Sequence, residues 1–452
     1  MEKNQTKVKS CLKNSVLAFQ HMFAMLGATI TVPLLTGMNT SLALIASGIG
    51  TLVFFFVTKR KVPVYLGSSF AFLAVLQSFF ADGYTNEMMG KVVVGIIATG
   101  LVYVVFSVII KFFGSGFIKK LFPPVVIGSV IVCIGLGLAP GGAIGPIGQS
   151  WQNWVIAIAT LVTIICVSSF GRGYFKMLPI LMGFIVGYAV ALCFGVVDFT
   201  TLSSASWIIF EPKTFEEAFG FYKYLAIDWE VIISIAPLAI VTFMEHIGDI
   251  NANGAVCGMD FIKDPGLHRT VLGDGLATIC AGLVGGPPNT TYGENTGVIA
   301  LTGNKNPNNL ALAACFAIFL GIFSKFGGLI ETIPGPVIGG ASFILYGMIS
   351  GQGLKSFVDG KVDFTHNRNL IIAGVVMVIG LGFNFANVNV HIGNLPISAL
   401  ALATFVGIVL NLILPKGANE SFGDVSLAIT GIGLEKEDFK KEKTEENTEE
   451  KK

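Results

Sequence analysis

Long apolar stretches with almost no charge constrain this chain more than any other feature. Its 452 residues include 57 Asp, Glu, Lys and Arg side chains, and 14 of these lie in the last 18 residues. The preceding 434 residues hold the other 43, roughly 10%, whereas an ordinary soluble domain carries about 25%. This depletion excludes a water-soluble globule. Long apolar runs with glycine throughout predict an all-α polytopic membrane protein and not an outer-membrane barrel.

A membrane-spanning helix needs about 20 largely apolar residues, and by that measure we predict about fourteen transmembrane segments. Two of them are weak: 62–81 opens with Pro63, and 288–302 (PNTTYGENTGVIALT) is polar. Such segments are tolerated at membrane depth only where they are buried in protein or line a cavity. The predicted spans are 15–37, 41–58, 62–81, 91–111, 123–140, 153–170, 177–197, 229–250, 271–286, 288–302, 308–328, 330–350, 369–388 and 394–415.

The distribution of Lys and Arg tests whether the polar segment 288–302 crosses the membrane, because cytoplasmic loops collect basic residues. With fourteen crossings and a cytoplasmic N-terminus, 19 basic side chains outside the C-terminal tail lie on the cytoplasmic side and 4 on the other. Without that crossing the counts become 15 and 8. The charges therefore favour a multi-pass protein of the cytoplasmic membrane with both termini in the cytoplasm.

The two ends of the chain differ from its apolar body. Residues 1–14 are polar and lack the apolar core of a removable signal peptide, so we expect none. Residues 417–452 end in dense mixed charge, which predicts a solvated cytoplasmic tail. The net charge of +1 does not indicate a nucleic-acid partner. Seven scattered cysteines without a CxxC pair are typical of core cysteines and not of disulfides or a zinc site.

The two halves of the chain echo each other. Residues 122–128 (FPPVVIG) align without a gap on 333–339 (IPGPVIG) and match at four positions. The weak segments are each the third member of a set of seven spans, and seven is odd, so we predict two inverted seven-span repeats. Interruptions at corresponding places in two halves indicate a transporter's binding site. Chance similarity of two Gly- and Pro-rich helix starts is the alternative explanation.

Five carboxylates fall within the predicted spans, where an ionisable group costs at least ~2.5–3.5 kcal/mol and is a functional candidate. Glu245 and Asp249 are four residues apart in MEHIGDI, so a helix places both on one face. Two neighbouring carboxylates in a low dielectric favour a bound proton, which indicates a proton carrier. The alternative is that Asp249 is solvated at a cytoplasmic helix end.

Glu294 lies among Pro and Gly residues in PPNTTYGENT, where backbone N–H groups are expected to remain free to face a ligand. The start of a following half-helix adds further free N–H groups. Asp274 could be a neighbour of the site or an acid favoured in the first turn of a helix, and for it and Glu331 we expect the favourable position at a helix start. His21 and His246 are predicted to be hydrogen-bonded interior residues, since no second His or Cys lies at ligand spacing, and we expect no metal and no cofactor.

Carboxylate acceptors, amide donors and aromatic neighbours suit a flat, neutral molecule that carries both N–H and C=O groups. Uracil has this pattern, and Phe70 or Tyr346 could cover a face of its ring. Xanthine and small amides fit the same chemistry, so the residues alone leave these substrates open.

Five long motifs occur in order between residues 20 and 415. They are QHMFAMLGAT (20–29), YLGSSFAF (65–72), MEHIGD (244–249), KDPGLHR (263–269) and PNTTYGENTG (288–297). Together they resemble the nucleobase-ascorbate transporter family of uracil and xanthine permeases, and most closely its bacterial uracil-transporting members. The last motif overlaps the family signature, which reads here from Glu294 to Gly303.

The resemblance implies a proton-coupled symporter that imports uracil, works as a homodimer and has short extended strands in spans 3 and 10. It also implies a core domain that moves against a gate domain. The core would comprise 15–121 (spans 1–4) and 229–329 (spans 8–11), and the gate 122–228 (spans 5–7) and 330–416 (spans 12–14).

Site residues can be carried over by position from the same resemblance. Glu245 and Glu294 would bind uracil through their carboxylates, and Phe70 and Gly293 would bind it through backbone amides. Relatives that transport purines commonly have Gln where Glu294 stands, so the Glu favours a pyrimidine.

The resemblance further implies that Ala28 and Tyr346 line the site from the first and twelfth spans. Glu245 is our candidate for the main proton-coupled ligand, with Asp249 tuning it. Asp at position 249 is common in purine-transporting relatives, whereas the uracil permeases have His there, which leaves the substrate and the protonated group open.

Three other functions compete with this interpretation. A xanthine or urate symporter of the same family is the nearest, and a gated solute channel could also be built from inverted repeats. A membrane-embedded enzyme lacks support because no nucleophile–base constellation is evident, so we expect no enzymatic activity. The same carboxylates and the carbonyls of broken helices would also coordinate Na⁺, so sodium coupling stays open.

Overall fold

The computed structural model describes residues 2–81, 83–114, 122–173, 176, 178–386, 390–392 and 395–415. The predicted tail, 417–452, lies outside these residues. Most of the described chain is helical, as expected for a backbone that must satisfy its own hydrogen bonds in lipid. The compact unit that these helices form runs from residue 1 to 413.

The first half contains nine α-helices and one short strand within the described ranges. They are α1 (Glu2–Thr36), α2 (Thr40–Val57), β1 (Leu66–Ser68), α3 (Leu73–Phe79), α4 (Asn86–Phe113), α5 (Pro124–Leu138), α6 (Trp151–Phe170), α7 (Pro179–Cys193), α8 (Thr200–Ser204) and α9 (Pro212–Phe219). Short 3-10 turns cover Phe70–Phe72 and Gly220–Tyr224, and π-helical turns cover Ala139–Ile144 and Ile262–Gly266.

The second half continues with the same alternation of helices and short strands. Its elements are α10 (Trp229–Ile235), α11 (Leu238–Cys257), α12 (Leu267–Val284), β2 (Asn289–Thr291), α13 (Gly293–Thr302), α14 (Pro307–Ile322), α15 (Ser324–Glu331), α16 (Gly335–Asp359), α17 (Asn367–Phe385), β3 (Val390–Ile392), β4 (Leu395–Ile397) and α18 (Ala399–Ile413).

Eight helical stretches in the described ranges are long and apolar enough to cross a membrane, or nine if the bent pair α14–α15 is one span. Three shorter apolar helices, Phe70–Phe79, Pro179–Cys193 and Ala399–Ile413, occupy three more of the predicted positions. The chain is therefore a multi-pass membrane protein. The count of fourteen spans stays a prediction, because the polar segments fail a hydropathy criterion.

Two predicted spans differ in detail from the structure. The span predicted at 308–328 bends by 81° between α14 and α15, where Phe323 leaves the helical conformation. The span predicted at 330–350 begins only at Gly335, because Pro334 has an extended backbone and caps α16. Glu331 consequently ends the short helix α15 and does not begin a span, which corrects its predicted place.

Strands β1 and β2 form an antiparallel pair that brings the two weak segments together. Leu66 lies opposite Thr291, and Ser68 lies opposite Asn289. Neighbouring helices satisfy strand backbone groups that lie outside the pair. The Thr51 hydroxyl on α2 donates to the Leu66 carbonyl at 3.2 Å, and Thr278 on α12 donates to the Asn289 carbonyl at 3.1 Å. Polar side chains of the neighbouring helices thus help to satisfy the backbone of both segments.

Helices α5 and α16, which carry the echoed motifs, pack against each other reciprocally. A Cβ atom at Gly128 on α5 would lie 2.7 Å from the Gly353 carbonyl oxygen on α16. A Cβ atom at Gly339, its partner in the alignment, would lie 2.5 Å from the carbonyl oxygen of Ala143 just beyond α5. The two helices therefore approach each other at equivalent glycines, Gly128 and Gly339. This reciprocal contact is expected if a two-fold axis relates the two halves of the chain.

The connection between α7 and α10 packs against helices from the predicted core. Ile209 and Ala218 are fully or nearly fully buried in one cluster with Leu42 of α2. Tyr224 also lies so close to α4 that a Cβ atom at Gly90 would be 2.4 Å from its carbonyl oxygen. This connection falls in the segment 122–228 assigned to the gate from sequence, yet these contacts are made with α2 and α4.

Candidate functional site

The antiparallel pair of β1 (66–68) and β2 (289–291), which we call the crossing of β1 and β2, lies beside the starts of two helical segments. Strand β1 leads into the 3-10 turn that begins at Phe70, and β2 leads into α13, which begins at Gly293. The residues just before these starts are tied down, because Ser69 N–H donates to the Pro288 carbonyl and Tyr292 N–H to the Tyr65 carbonyl. First-turn N–H groups have no intrahelical partner. The N–H groups of Phe70 and Gly293 are therefore two backbone donors, one from each weak segment.

Asp249 lies directly against the start of α13. Its Oδ2 atom accepts a hydrogen bond from the Thr291 hydroxyl at 2.9 Å, and its Oδ1 atom is 3.5 Å from the position of a Cβ atom at Gly293. Only 9% of Asp249 is exposed, so it is not the solvated helix-end residue of the alternative interpretation. Helix α11 therefore delivers one carboxylate to the β2–α13 junction.

Glu245 and Glu294 approach the same region from α11 and α13. Glu245 lies within electrostatic range of Asp249, Glu294 and Asp274, and it is half-buried. Glu294 is the second residue of α13 and is also half-buried. Carboxylate acceptors from two separate elements thus converge on the place where the free backbone donors begin.

Asp274 is buried behind these acids and does not occupy the helix start expected from sequence. Helix α12 begins at Leu267, four residues before the predicted span, so Asp274 is two turns inside it. Its Oδ2 atom lies 3.1 Å from Nδ1 of His246, and both side chains are completely buried. The angles of this contact are not those of a hydrogen bond. The two groups form a close buried pair one residue along α11 from Glu245.

His21 is an interior residue of α1. Asn295 of α13 donates through Nδ2 to the His21 carbonyl at 3.1 Å and lies 3.3 Å from its Nδ1 atom. This is the hydrogen-bonded role predicted for His21. Among the described residues, no group of three or more His, Cys, Asp and Glu side chains is arranged to hold a metal ion.

The remaining candidates divide between two places. Ala28 is buried in a cluster that also contains Tyr65 and Tyr292, and Phe70 packs against it. Tyr346 instead contacts α5 and the π-helical turn: a Cβ atom at Gly142 would lie 2.0 Å from its hydroxyl. That buried hydroxyl has no hydrogen-bond partner in the described chain.

A recess of about 370 Å³ begins one residue beyond Asp249 and follows the end of α11. It is lined by Ile250, Asn251, Gly254, Ala255, Gly258, Met259, Asp260 and Phe261. On α16, a Cβ atom at Gly347 or Gly351 would meet no atom within 4 Å, so both positions border open space. The recess lies at the end of α11 that is predicted to be cytoplasmic.

Sequence reasoning missed two residues that the structure brings to the acids. Thr291, the hydrogen-bond donor to Asp249, stood unremarked in PNTTYGEN, although the alternation of side chains along a strand would have directed one of its two Thr residues towards α11. Lys355 of α16 lies within electrostatic range of Asp249, which spacing along the sequence could not have indicated.

Comparison with known proteins identifies relatives over nearly the whole chain. The profile of a permease family (Xan_ur_permease) matches residues 12–388. The uracil permease of Bacillus caldolyticus is 45% identical over 88% of this chain and 91% of its own length. The uracil permeases of Bacillus subtilis and Escherichia coli are 42% and 37% identical, each over 89% of this chain and 93% and 91% of their own lengths.

Solved structures share the fold at low identity. The transmembrane domain of the cyanobacterial bicarbonate transporter BicA matches with a TM-score of 0.55 and 15% identity, over 89% of this chain and 97% of that one. SLC26A9 matches with a TM-score of 0.63 and 11% identity, over 89% of this chain and 64% of that one. The resemblance inferred from the sequence motifs is confirmed by the family profile and the relatives, and the chain belongs to the permease family as a membrane transport protein and not an enzyme.

Proposed function

We propose that this permease imports uracil across the cytoplasmic membrane by symport with protons. The observation that carries the proposal is the convergence of Glu245, Asp249 and Glu294 on the crossing of β1 and β2. Relatives at 37–45% identity are named uracil permeases, which supports uracil as the substrate.

Uracil offers ring N–H donors and carbonyl acceptors along its edge. In our proposal the Glu245 and Glu294 carboxylates accept hydrogen bonds from the ring, and the Phe70 and Gly293 amides donate to it. The half-buried Phe70 side chain and the small Ala28 side chain would shape an apolar face for the ring. Tyr346 would complete this face from α16 after a change of conformation, because it now packs against α5.

The proton would be carried by the acid cluster, with Glu245 as the main group and Asp249 tuning it. Several carboxylates held this close in a low dielectric cannot all be ionised at small cost, so a bound proton stabilises the cluster. A proton entering with uracil would compensate the charge that the substrate desolvates, and uptake would be driven by the inward proton gradient.

Transport would proceed by movement of the core, 15–121 and 229–329, against the gate, 122–228 and 330–416. The recess at the end of α11, which begins next to Asp249, supports a conformation that faces the cytoplasm. Fourteen spans in two inverted repeats, both termini in the cytoplasm and a homodimeric assembly complete the proposal. Reciprocal packing of α5 and α16 supports the repeats, and light scattering of the purified protein tests the dimer.

Uptake of radiolabelled uracil into proteoliposomes tests the proposal. Imposing the pH gradient and the sodium gradient separately distinguishes the coupling ion. Accumulation with an acid exterior and no sodium supports proton symport, whereas accumulation that requires only a sodium gradient would refute it. A Glu245→Gln variant that still concentrates uracil against its gradient would contradict the role of Glu245.

The principal alternative is a purine symporter, which Asp249 favours through its resemblance to purine-transporting relatives. Excess unlabelled xanthine or urate should leave uracil uptake unchanged if the site is specific for uracil. Inhibition by xanthine with a lower half-maximal concentration than that of unlabelled uracil would assign the purine as substrate. A channel would equilibrate uracil and never concentrate it.

A further inference from the structure

The hydroxyl of Thr291 occupies a special position between the acid cluster and the extended strand. This hydroxyl donates the 2.9 Å hydrogen bond to Asp249, and Thr291 is 1% exposed. Thr290, the preceding residue on β2, is 2% exposed, and its hydroxyl has no hydrogen-bond partner in the described chain. Adjacent strand residues point to opposite faces. Of these two threonines, Thr291 is therefore the one whose hydroxyl joins β2 to α11 in the described chain.

Asp249 contacts two places in the segment 289–294, which comprises β2 and the start of α13 and which we call the substrate segment. One carboxylate oxygen is bound by the Thr291 side chain, and the other lies against Gly293, two residues further along. A hydrogen bond to an ionised acceptor is stronger than one to a neutral group. The charge state of Asp249 consequently changes the strength of its hydrogen bond to Thr291, two residues before the Gly293 amide.

The groups that face Asp249 come from four elements. The interacting charges are Glu245 on α11, Glu294 on α13, Asp274 on α12 and Lys355 on α16. Three of these are acids, and the one cation belongs to an exposed side chain. The Thr291 hydroxyl is thus the direct hydrogen-bond donor in the described chain that offsets several like charges around this carboxylate.

We propose that Thr291 is a positioning residue that holds the Asp249 carboxylate at the start of α13 and so links the proton load of the acid cluster to the placement of the Gly293 amide. This inference rests on the proposed proton-coupled function. When Asp249 is ionised the hydroxyl donates to it, and when Asp249 gains a proton this bond weakens, because its acceptor becomes neutral. The junction of β2 and α13, where the Gly293 amide lies, is then held less tightly to α11.

The test is the pH profile of uracil exchange in proteoliposomes without an imposed gradient. Thr291→Val replaces the hydroxyl by a methyl group of similar size, and Thr290→Val is the matched control on the same strand. Loss of the donor disfavours the ionised carboxylate, so Thr291→Val should move the profile midpoint upward by about one pH unit, a tenfold change in apparent proton affinity. Thr291→Ser should restore the wild-type midpoint, and Thr290→Val should keep it.

A second measurement separates a specific link from a general loss of structure. In an Asp249→Asn background, Thr291→Val should cause no further shift, since its acceptor has lost the titrating proton. Thr291→Ala serves the same comparison if the valine variant does not fold. A persistent shift in that background, or an equal shift with Thr290→Val, would overturn the inference.

The outcomes also distinguish this inference from the proposed function. Proton-driven uptake with a shifted midpoint in Asp249→Asn but an unshifted midpoint in Thr291→Val refutes the positioning role alone. A wild-type midpoint in Asp249→Asn refutes both the tuning role of Asp249 and the positioning role of Thr291. Failure of every gradient to drive uracil accumulation refutes the transport proposal itself.

Discussion

The acids that the sequence places within predicted spans have different surroundings in the structure. Glu294 belongs to the first turn of α13, where its carboxylate can face the same place as free backbone N–H groups. Asp274 is instead paired with His246 in the fully buried interior. Glu331 ends α15, beside Thr40 at the start of α2. An acid within a predicted span is therefore not a candidate ligand by that position alone, and we favour Glu294 because it stands at a helix start next to β2.

Glu294→Gln should raise the KM for uracil by about ten- to a hundredfold. The reason is that a neutral amide replaces a charged hydrogen-bond acceptor, and a hydrogen bond to a charged group contributes about 1.5–3 kcal/mol. Initial rates of uracil uptake over a range of substrate concentrations measure the effect. Glu331→Gln is the matched control and should leave KM unchanged. A larger increase in KM for Glu331→Gln than for Glu294→Gln would contradict the site.

At the scale of elements, the crossing of β1 and β2 is the unit on which the site depends. Gly67 of β1 lies so close to Tyr292 that a Cβ atom would be 2.5 Å from its ring, and 2.6 Å from the Thr29 hydroxyl oxygen. The Tyr292 hydroxyl donates to the Ser68 carbonyl at 2.8 Å. The strand pair therefore has no space for a residue larger than glycine at position 67. A displacement of Tyr292 would also move Gly293, the next residue, whose amide we propose as a substrate ligand.

Gly67→Ala should reduce uracil uptake at least tenfold and destabilise the folded protein by about 1–3 kcal/mol, because the added methyl group overpacks the crossing. Thermal unfolding of the purified protein and uptake rates measure both effects. Gly374→Ala on α17 is the control, since a Cβ atom there meets no neighbouring atom within 4 Å. Its stability should be unchanged or slightly higher. Full activity of Gly67→Ala would show that the crossing does not position the substrate segment.

For the whole molecule, the feature that bears on access to the site is the recess at the end of α11. It adjoins the acid cluster at one end and the loop after α11 at the other, which carries basic residues in the predicted cytoplasmic set. The connection at 199–228 contacts α2 and α4, so it would move with the core if the two domains separate. We therefore expect access to the site from the predicted cytoplasmic side to depend on how the proposed core and gate are arranged.

Gly351→Cys, placed in a background in which the seven native cysteines are replaced, should react with a membrane-impermeant maleimide applied from the cytoplasmic side. Gly351 has open space around its Cβ position, which explains the expected reactivity. Ser342→Cys, at a fully buried position on the same helix, is the control and should not react. Labelling in right-side-out and inside-out vesicles provides the measurement. Reaction of Gly351→Cys from the external side alone would reverse the predicted orientation.

The sequence by itself determined the membrane class, the weak segments and the acids near the site. These are local properties, because apolar length is read along one segment and the Glu245–Asp249 spacing follows from a single helix. The tertiary structure decided the partners of Asp249 and Asp274, the bend after α14 and the contacts of 199–228 with α2 and α4. Such features depend on residues that are far apart in the chain, such as Asp249 and Thr291 at their 2.9 Å hydrogen bond, and only packing brings them together.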